Sequence, residues 1–210
     1  MDSGVDLHYP FSGRWLVQNS PADRIPSHGT RQFASSWAID FVPAGDGSRT
    51  APMTLAGFFR PEPPERFPGF GRPILAPIDG AVVAVHDAEP DHPAYRGLPS
   101  IGYAVTQHRR AAAGWGALAG NHVFIEHRGI VIALCHLQWG SGAVRAGDHV
   151  RAGDLIGRCG NSGNSTEPHL HIQAFAGRSI EDARAVPMTF RGALPRNGTI
   201  VLGGSARSGE

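Results

Sequence analysis

Glycine and proline interrupt this chain so often that long helices are excluded. The 210 residues include 28 glycines and 17 prolines, and both residue types destabilise helix interiors. Such a composition favours many short strands joined by turns. Apolar residues make up 41% of the chain, which is enough for a folded core. The sequence therefore predicts a mainly β protein with an antiparallel sheet and little helix, arranged as a sandwich or a partly open barrel.

The chain divides into segments of different character. Residues 1–36 predict an irregular N-terminal segment, and residues 37–190 predict the main domain. Within that domain the stretch 43–73, which is rich in proline, predicts a long loop. The stretch 88–119 predicts a second long loop with room for a helical turn. The small and polar residues 203–210 predict a flexible tail.

Turn signals between apolar runs predict how the strands connect. Asp79-Gly80 predicts a hairpin between residues 74 and 87, and Arg128-Gly129 predicts a second hairpin. The pentapeptide V-R-A-G-D occurs at 144–148 and again at 150–154. This repetition predicts two turns around a short strand.

Composition also excludes several classes of function. The net charge is only +1 and no basic stripe is visible, so a nucleic acid partner is not expected. All 19 basic residues are arginine, which excludes a Schiff-base lysine and a P-loop lysine. Two cysteines, Cys135 and Cys159, cannot make a disulfide framework, although one bridge is possible. No apolar run approaches the ~18 residues of a membrane span, and no signal peptide is visible.

Two histidines separated by one residue are the strongest chemical signal. His169 and His171 open an apolar strand, 169–175, in which alternate side chains project from the same face. The two imidazoles and Gln173 therefore share one face, and the apolar side chains between them can enter the core. Two neighbouring imidazoles can bind one metal, or one can bind it while the other transfers protons. The alternative is a pair of solvent-facing histidines on a half-exposed strand.

Three further residues could complete a metal site. Asp40 interrupts the apolar strand 37–42, where a buried carboxylate is costly unless it is paired or bound to metal. His136 also lies within an apolar strand, and His28 lies in a loop. The other interpretations are a capping residue for Asp40, a core histidine bonded to backbone for His136, and a surface position for His28.

These residues belong to motifs that resemble the lysostaphin-like zinc endopeptidases, which cut peptides in bacterial cell walls. The similarity runs through residues 74–87 and 120–175, in the order of the family. Its most specific parts are the stretch G-x-S-G-x-S-x-x-P-H-L-H from Gly160 to His171 and the pair His136-Leu137. The resemblance implies an antiparallel β fold with a groove, one zinc ion per chain and a secreted or cell-envelope location.

The resemblance also implies a role for each candidate residue. Asp40 and His171 match two of the three zinc ligands, and His136 and His169 match the histidines that flank the activated water. The chain departs from the family at the first ligand, because Ser36 stands four residues before Asp40, where the family has histidine. We expect His28 to fill this place through a looped-out segment. The sequence alone does not distinguish which of His136 and His169 is the general base.

The resemblance implies hydrolysis of a peptide or peptidoglycan substrate by a water that zinc activates. The two long loops would wall the groove and influence substrate choice. A degenerate, non-catalytic relative that binds peptidoglycan or activates another wall hydrolase is the alternative, and it need not hold metal. A cysteine peptidase built on Cys135 is disfavoured, since the neighbours of the thiol are apolar and adjacent strand residues face opposite ways. A lipoyl-type carrier is excluded because the chain has no lysine.

Overall fold

The computed structural model of the protein describes residues 4–45, 51, 55–177 and 179–204. Within these residues most of the regular structure is strand. The strands are β1 (Val5–Leu7), β2 (Gly13–Gln18), β3 (Ile39–Pro43), β4 (Pro73–Leu75), β5 (Gly80–His86), β6 (Asn121–His127), β7 (Ile130–Leu137), β8 (His149–Val150), β9 (Leu155–Arg158), β10 (Leu170–Ala176), β11 (Arg184–Val186), β12 (Met188–Phe190) and β13 (Ile200–Gly203). The α-helices are short: α1 (Leu55–Phe59), α2 (Leu98–Val105), α3 (Gln107–Ala112) and α4 (Trp115–Ala119). Two 3₁₀ segments, Gln32–Trp37 and Pro64–Arg66, complete the elements.

Nine strands form one large sheet. Its order is β13-β2-β3-β10-β7-β6-β5-β8, with β11 paired to β10 outside this path, and its strands pair antiparallel. The pair β4 and β9 is also antiparallel, and β1 and β12 are parallel. The prediction of a mainly antiparallel β fold is therefore confirmed, with open sheets rather than a closed barrel. Among the helices of the described residues, none has the length and apolar character needed to cross a membrane.

The large sheet carries apolar side chains on both faces. On one face of β10, Leu170, Ile172 and Ala174 are buried in the larger core cluster. On the other face, Phe175 joins a smaller cluster with Ala34, Ala119, Ala133, Cys135, Trp115 and Ile180. This second cluster is covered by the 3₁₀ segment 32–37 and by α4, and the candidate site lies on the same face.

The N-terminal segment differs from the expectation of irregular structure. Residues 1–36 contain β1 and β2, and β2 lies inside the large sheet between β13 and β3. Trp15 and Val17 of β2 are fully buried, and the Trp15 ring stacks on Phe11 with centroids 4.3 Å apart. The physical reason for the error is that this short strand alternates only two buried residues with half-exposed ones, a weak period-2 signal.

The two predicted hairpins have different outcomes. The turn between β6 and β7 is confirmed, because Arg128 and Gly129 have positive φ angles of 51° and 81°, as a type I′ turn requires. The hairpin at Asp79-Gly80 is wrong. Neither residue has a positive φ, and β4 pairs with β9 whereas β5 pairs with β6 and β8. Asp79 instead accepts a hydrogen bond from Ala152 N at 2.7 Å, so it braces a neighbouring turn.

The V-R-A-G-D repeat forms the two turns that its sequence predicts. In each copy the aspartate carboxylate accepts a hydrogen bond from the arginine backbone three residues earlier, Arg145 N to Asp148 at 2.8 Å and Arg151 N to Asp154 at 2.7 Å. Strand β8 lies between the turns. Each copy of the repeat therefore forms a turn, and a short strand lies between the two copies.

The predicted long loops contain more helix than expected. The stretch 43–73 includes α1 and a 3₁₀ turn, and the stretch 88–119 includes α2, α3 and α4. Helices α2 to α4 form what we call the helical insert, residues 98–119. Of the predicted tail 203–210, only Gly203 and Gly204 are among the described residues. The predicted domain limits remain a prediction.

Candidate metal centre and groove

The paired histidines lie where the strand geometry predicts. Leu170 and Ile172 of β10 are fully buried, while the side chains of His169, His171 and Gln173 line a cavity on the opposite face. The neighbouring strand β3 places Asp40 directly opposite His171 in an antiparallel register. As a result, His171 Nδ1 lies 2.9 Å from Asp40 Oδ1.

Asp40 is the centre of the cluster. The residue is 5% exposed, and its second carboxylate oxygen accepts a hydrogen bond from Asn19 Nδ2 at 2.7 Å. Burial opposes the charged carboxylate, but the nearby histidines His28, His169 and His171 outweigh it and hold the pKa of Asp40 well below its ordinary value. The carboxylate is therefore ionised and available to a cation.

His28 reaches the cluster through a detour of the chain. The segment between His28 and Asp40 turns back through the 3₁₀ segment 32–37, inside which Phe33 and Ala34 have left-handed backbone angles. Ser27 N then donates to Ser36 O at 3.1 Å. His28 Nε2 lies 3.1 Å from Asp40 Oδ2, across twelve positions of sequence. The detour thus places an imidazole beside the position where the family has its first histidine.

The three candidate ligands fit a zinc ion. One ligand atom from each of His28, Asp40 and His171 lies within 4.8 Å of the other two. Bonds of about 2.0–2.1 Å at a tetrahedral angle place ligand atoms roughly 3.3 Å apart, which small side-chain shifts can reach here. Two imidazoles and one carboxylate are donors that zinc prefers in catalytic sites, where a fourth position stays open.

The hydrogen bonds of His28 direct its Nε2 toward the proposed metal position. The hydroxyl of Ser27 donates to Ser35 O at 3.2 Å, so its oxygen accepts from His28 Nδ1 at 3.0 Å. Nδ1 is therefore held by the serine, and Nε2 faces the ionised carboxylate of Asp40, where a metal would take the place of a proton on that nitrogen. Ser27 is a functional contact that no sequence signal indicated.

His136 joins the site because the strand that carries it has a bulge. The pairing of β6 with β7 shifts between Asn121 and His122, so that Asn121 faces Leu137 and His122 faces Cys135. His136 is the extra residue, and its φ is +61°, which is rare for a side chain with a Cβ. Regular alternation would turn His136 away from Cys135, but both residues line the same cavity.

This bulge corrects one step of the sequence reasoning about Cys135. The thiol and the imidazole of His136 do not face opposite sides of the sheet, as alternation predicts. The cysteine nevertheless stays an unsuitable nucleophile, because burial, together with the negative charge of Asp40, raises the pKa of its thiol. Cys135 and Cys159 are both free thiols in the structure.

The two remaining histidines are held by backbone carbonyls. His136 Nδ1 donates to Ser162 O at 2.9 Å, and His169 Nδ1 donates to Glu167 O at 2.8 Å. A carbonyl can only accept, so both imidazoles carry a proton on Nδ1 and leave Nε2 free. Their ring centroids are 4.7 Å apart. Burial is the largest of the effects that lower the pKa of His136 well below its ordinary value, so this ring is neutral.

The glycine-rich turn before His169 supports this arrangement by close contact. Gly163 has a φ of +71°, and a Cβ there would overlap the backbone nitrogen of Gly120 at the end of α4. Asn164 N donates to Leu118 O at 2.8 Å across the same contact. The glycine of the motif is therefore required for the helical insert to approach the turn.

The cluster lies at the bottom of a cavity of about 710 Å³. One wall is the detour segment, and the opposite wall is the helical insert. Lining residues from the walls include Arg24, Gln32 and Phe33 on one side and Gln107, His108 and Trp115 on the other. The groove that the resemblance implies is therefore bounded by two segments outside the β sheet, the detour and the helical insert.

Comparison with known proteins identifies one family. Residues 100–182 match the sequence profile of peptidase family M23. This range includes His136, His169 and His171 but not His28 or Asp40, so the complete cluster is visible only in the fold. The chain is 33% identical to lysostaphin of Staphylococcus staphylolyticus over 93 residues, which cover 41% of this chain and 18% of lysostaphin.

A second curated relative is the glycyl-glycine endopeptidase ALE-1 of Staphylococcus capitis, with 32% identity over 93 residues, 41% of this chain and 24% of that protein. The chain thus spans about a fifth of the length of these relatives. The catalytic domain of lysostaphin from Staphylococcus simulans is a structural neighbour with 17% identity, a TM-score of 0.41 and coverage of 88% of this chain and 95% of that one. By its sequence, the chain is thus similar to peptidase family M23 over residues 100–182 and to lysostaphin over 93 residues.

Proposed function

We propose that the protein is a zinc-dependent endopeptidase that hydrolyses peptide bonds, with bacterial peptidoglycan cross-links as its substrate. The observation that carries this proposal is the convergence of His28, Asp40 and His171, whose ligand atoms lie within 4.8 Å although they come from three separate segments. The match of residues 100–182 to a peptidase family and the similarity to two staphylococcal proteins, one of them named a glycyl-glycine endopeptidase, support the reaction and the substrate class.

The proposed ligands are His28 through Nε2, His171 through Nδ1 and the carboxylate of Asp40. When bound there, zinc would act as a Lewis acid that makes water nucleophilic near neutral pH and polarises the scissile carbonyl. Asn19 restrains the carboxylate through its hydrogen bond to Oδ2, and Ser27 orients the imidazole of His28. Such supporting contacts hold ligands in the geometry that a metal requires.

His136 and His169 are proposed to move protons. Both rings hold a proton on Nδ1 through a backbone carbonyl, so each presents a bare Nε2 that can accept a proton from the attacking water. The ring that accepts it becomes a donor at Nε2 and can pass the proton to the leaving amine. The other ring remains beside the reacting carbon to position the water. No covalent enzyme intermediate is needed for this sequence of transfers.

A peptidoglycan substrate would place the protein in the cell envelope, and the walls of the groove would contact the peptide on both sides of the scissile bond. The segment 24–33 contributes Arg24 and Gln32, and the helical insert contributes Gln107 and His108. These polar side chains can bond the peptide backbone of a substrate, so we assign them to binding rather than to the reaction.

The test is metal content measured together with hydrolysis. Protein purified without chelator is analysed for zinc, and its action on purified peptidoglycan is followed by the release of new amino groups. The proposal predicts about one zinc per chain and release that stops with a chelator and returns with zinc. Peptidoglycan binding without zinc and without release would instead identify a non-catalytic relative and overturn the proposal.

A further inference from the structure

Gln173 contacts both His171 and the detour that carries His28. Its Oε1 lies 3.0 Å from His171 Nε2, and its Nε2 donates to Phe33 O at 2.7 Å. The first contact is to a proposed ligand, and the second is to the detour that carries His28. We propose that Gln173 is a positioning residue that fixes both histidine ligands at once, an inference that rests on the proposed zinc site.

The amide of Gln173 can adopt only one orientation. Phe33 O is an acceptor, so the NH₂ group of the amide must face it, and Oε1 must then face His171. An amide oxygen only accepts, so His171 Nε2 carries a proton. Nδ1 of the same ring faces the ionised carboxylate of Asp40 at 2.9 Å, so it is the nitrogen from which zinc would displace a proton. The backbone of the detour thereby keeps Nε2 of His171 bonded to the amide and Nδ1 directed toward the proposed metal position.

The same amide restrains the detour. Phe33 and the following Ala34 have φ angles of 54° and 57°, a left-handed conformation that is unfavourable for residues with a Cβ. Such a segment keeps its path only when surrounding contacts hold it. Within the described residues, Gln173 supplies a side-chain hydrogen bond from β10 to this segment.

The position of Gln173 makes the contact rigid. It is 2% exposed and lies opposite Ala133 of β7, whose small side chain leaves room for the amide above the sheet. It shares the strand face of His171, two residues away. An amide held on a central strand is a firmer support than a loop residue would be. Gln173 thus fixes the position of the proposed ligand His28, on the detour, relative to the proposed ligand His171, on β10.

The experiment is a zinc affinity measurement by competition with a chromophoric chelator, on wild type, Gln173→Met and Gln173→Glu. Gln173→Met keeps the volume and loses both hydrogen bonds, so the Kd for zinc should rise about 10–100-fold. Gln173→Glu keeps an acceptor for His171 Nε2 but cannot donate to Phe33 O, so its Kd should lie between the other two. In zinc-loaded protein, proton NMR should show a slowly exchanging imidazole N–H for His171 in wild type that Gln173→Met lacks.

Phe175→Leu is the matched control for a merely structural effect. Phe175 lies on the same strand and face and is equally buried, and it packs in the second, apolar cluster. This variant should lose stability and keep the zinc Kd of wild type. The inference is overturned if Gln173→Met binds zinc like wild type, or if Phe175→Leu weakens zinc binding as much. If wild type itself binds no zinc, the proposed function fails first, and this inference fails with it.

Discussion

The face of the sheet on which the His136 side chain lies depends on the local backbone conformation. The sequence pattern identified this histidine as a candidate, because it interrupts an apolar strand in a family motif. The period-2 rule would nevertheless place its side chain on the face opposite Cys135. The bulge and the φ of +61° rotate it into the groove. No property of the pentapeptide around His136 predicts a bulge, since the bulge arises from a register shift in the neighbouring strand, where Asn121 pairs with Leu137 and His122 with Cys135.

The strain at His136 can be measured by comparing two substitutions. His136→Ala and His136→Gly both remove the imidazole and should lower kcat/KM about 10²–10⁴-fold by loss of proton transfer. Only glycine adopts a positive φ without cost, so His136→Gly should be more stable than His136→Ala by about 1 kcal/mol. Urea unfolding of both variants checks the difference. Equal stabilities would contradict a strained backbone, and zinc content should be unchanged in both.

Among the candidate ligands, His28 had the weakest support from the sequence. The fold nevertheless places its imidazole beside Asp40. We predict that His28→Ala raises the Kd for zinc more than about 100-fold, because it removes a donor and not a supporting contact. His108→Ala is the control, since His108 is an exposed imidazole on the wall of the same groove. Its zinc affinity should match wild type. A His28→Ala protein that binds zinc normally would remove His28 from the site.

At the scale of elements, the local turns were predictable and the long-range pairings were not. The Arg128-Gly129 hairpin and the V-R-A-G-D turns depend on residues within a few positions of one another, so their sequence signals are sufficient. Asp79-Gly80 has the same signal, but β4 and β5 find better partners elsewhere. The helical insert was also underestimated, because its short helices are stabilised by contacts with the glycine-rich turn rather than by helix propensity.

Tyr103 attaches the helical insert to that turn. Its hydroxyl donates to Gly163 O at 2.8 Å, and the guanidinium of Arg110 lies 3.8 Å from the ring centroid. Burial raises the pKa of Tyr103 to about 12, against an opposing effect of Arg110. The folded pKa therefore exceeds the ordinary value of 10.0. The stability that the phenol contributes is complete below this value and is lost as the pH rises toward about 12.

We predict that a spectrophotometric titration shows a late tyrosinate transition that Tyr103→Phe lacks. The same variant should lose the part of the stability that falls with pH in this range, because phenylalanine has no proton to lose. Tyr9, whose pKa burial also raises, remains in the variant and serves as the internal reference. Persistence of the latest transition in Tyr103→Phe would show that Tyr103 is not its source.

At the scale of the whole molecule, composition was sufficient for the fold class and insufficient for its topology. Glycine and proline content, with alternation in β10, predicted a mainly antiparallel β protein. Strand β2 was missed because its position is decided by β13 and β3, which lie far from it in sequence. The site follows the same division. His171 and Asp40 lie on strands whose patterns are readable, and His169 directly precedes one. Ser27 and Asn19, by contrast, come close only through the detour and the end of β2.

The central claim is that His28, Asp40 and His171 hold a zinc ion with which the chain hydrolyses peptidoglycan. The most direct test is the zinc-dependent release of amino groups from purified peptidoglycan by wild type and by His171→Ala, after both proteins are saturated with equal zinc and shown to be folded. We predict release by wild type, abolished by chelator, and at least a 1000-fold lower rate for His171→Ala, roughly a loss of 4 kcal/mol in transition-state stabilisation. A His171→Ala protein that releases amino groups at the wild-type rate would contradict the account.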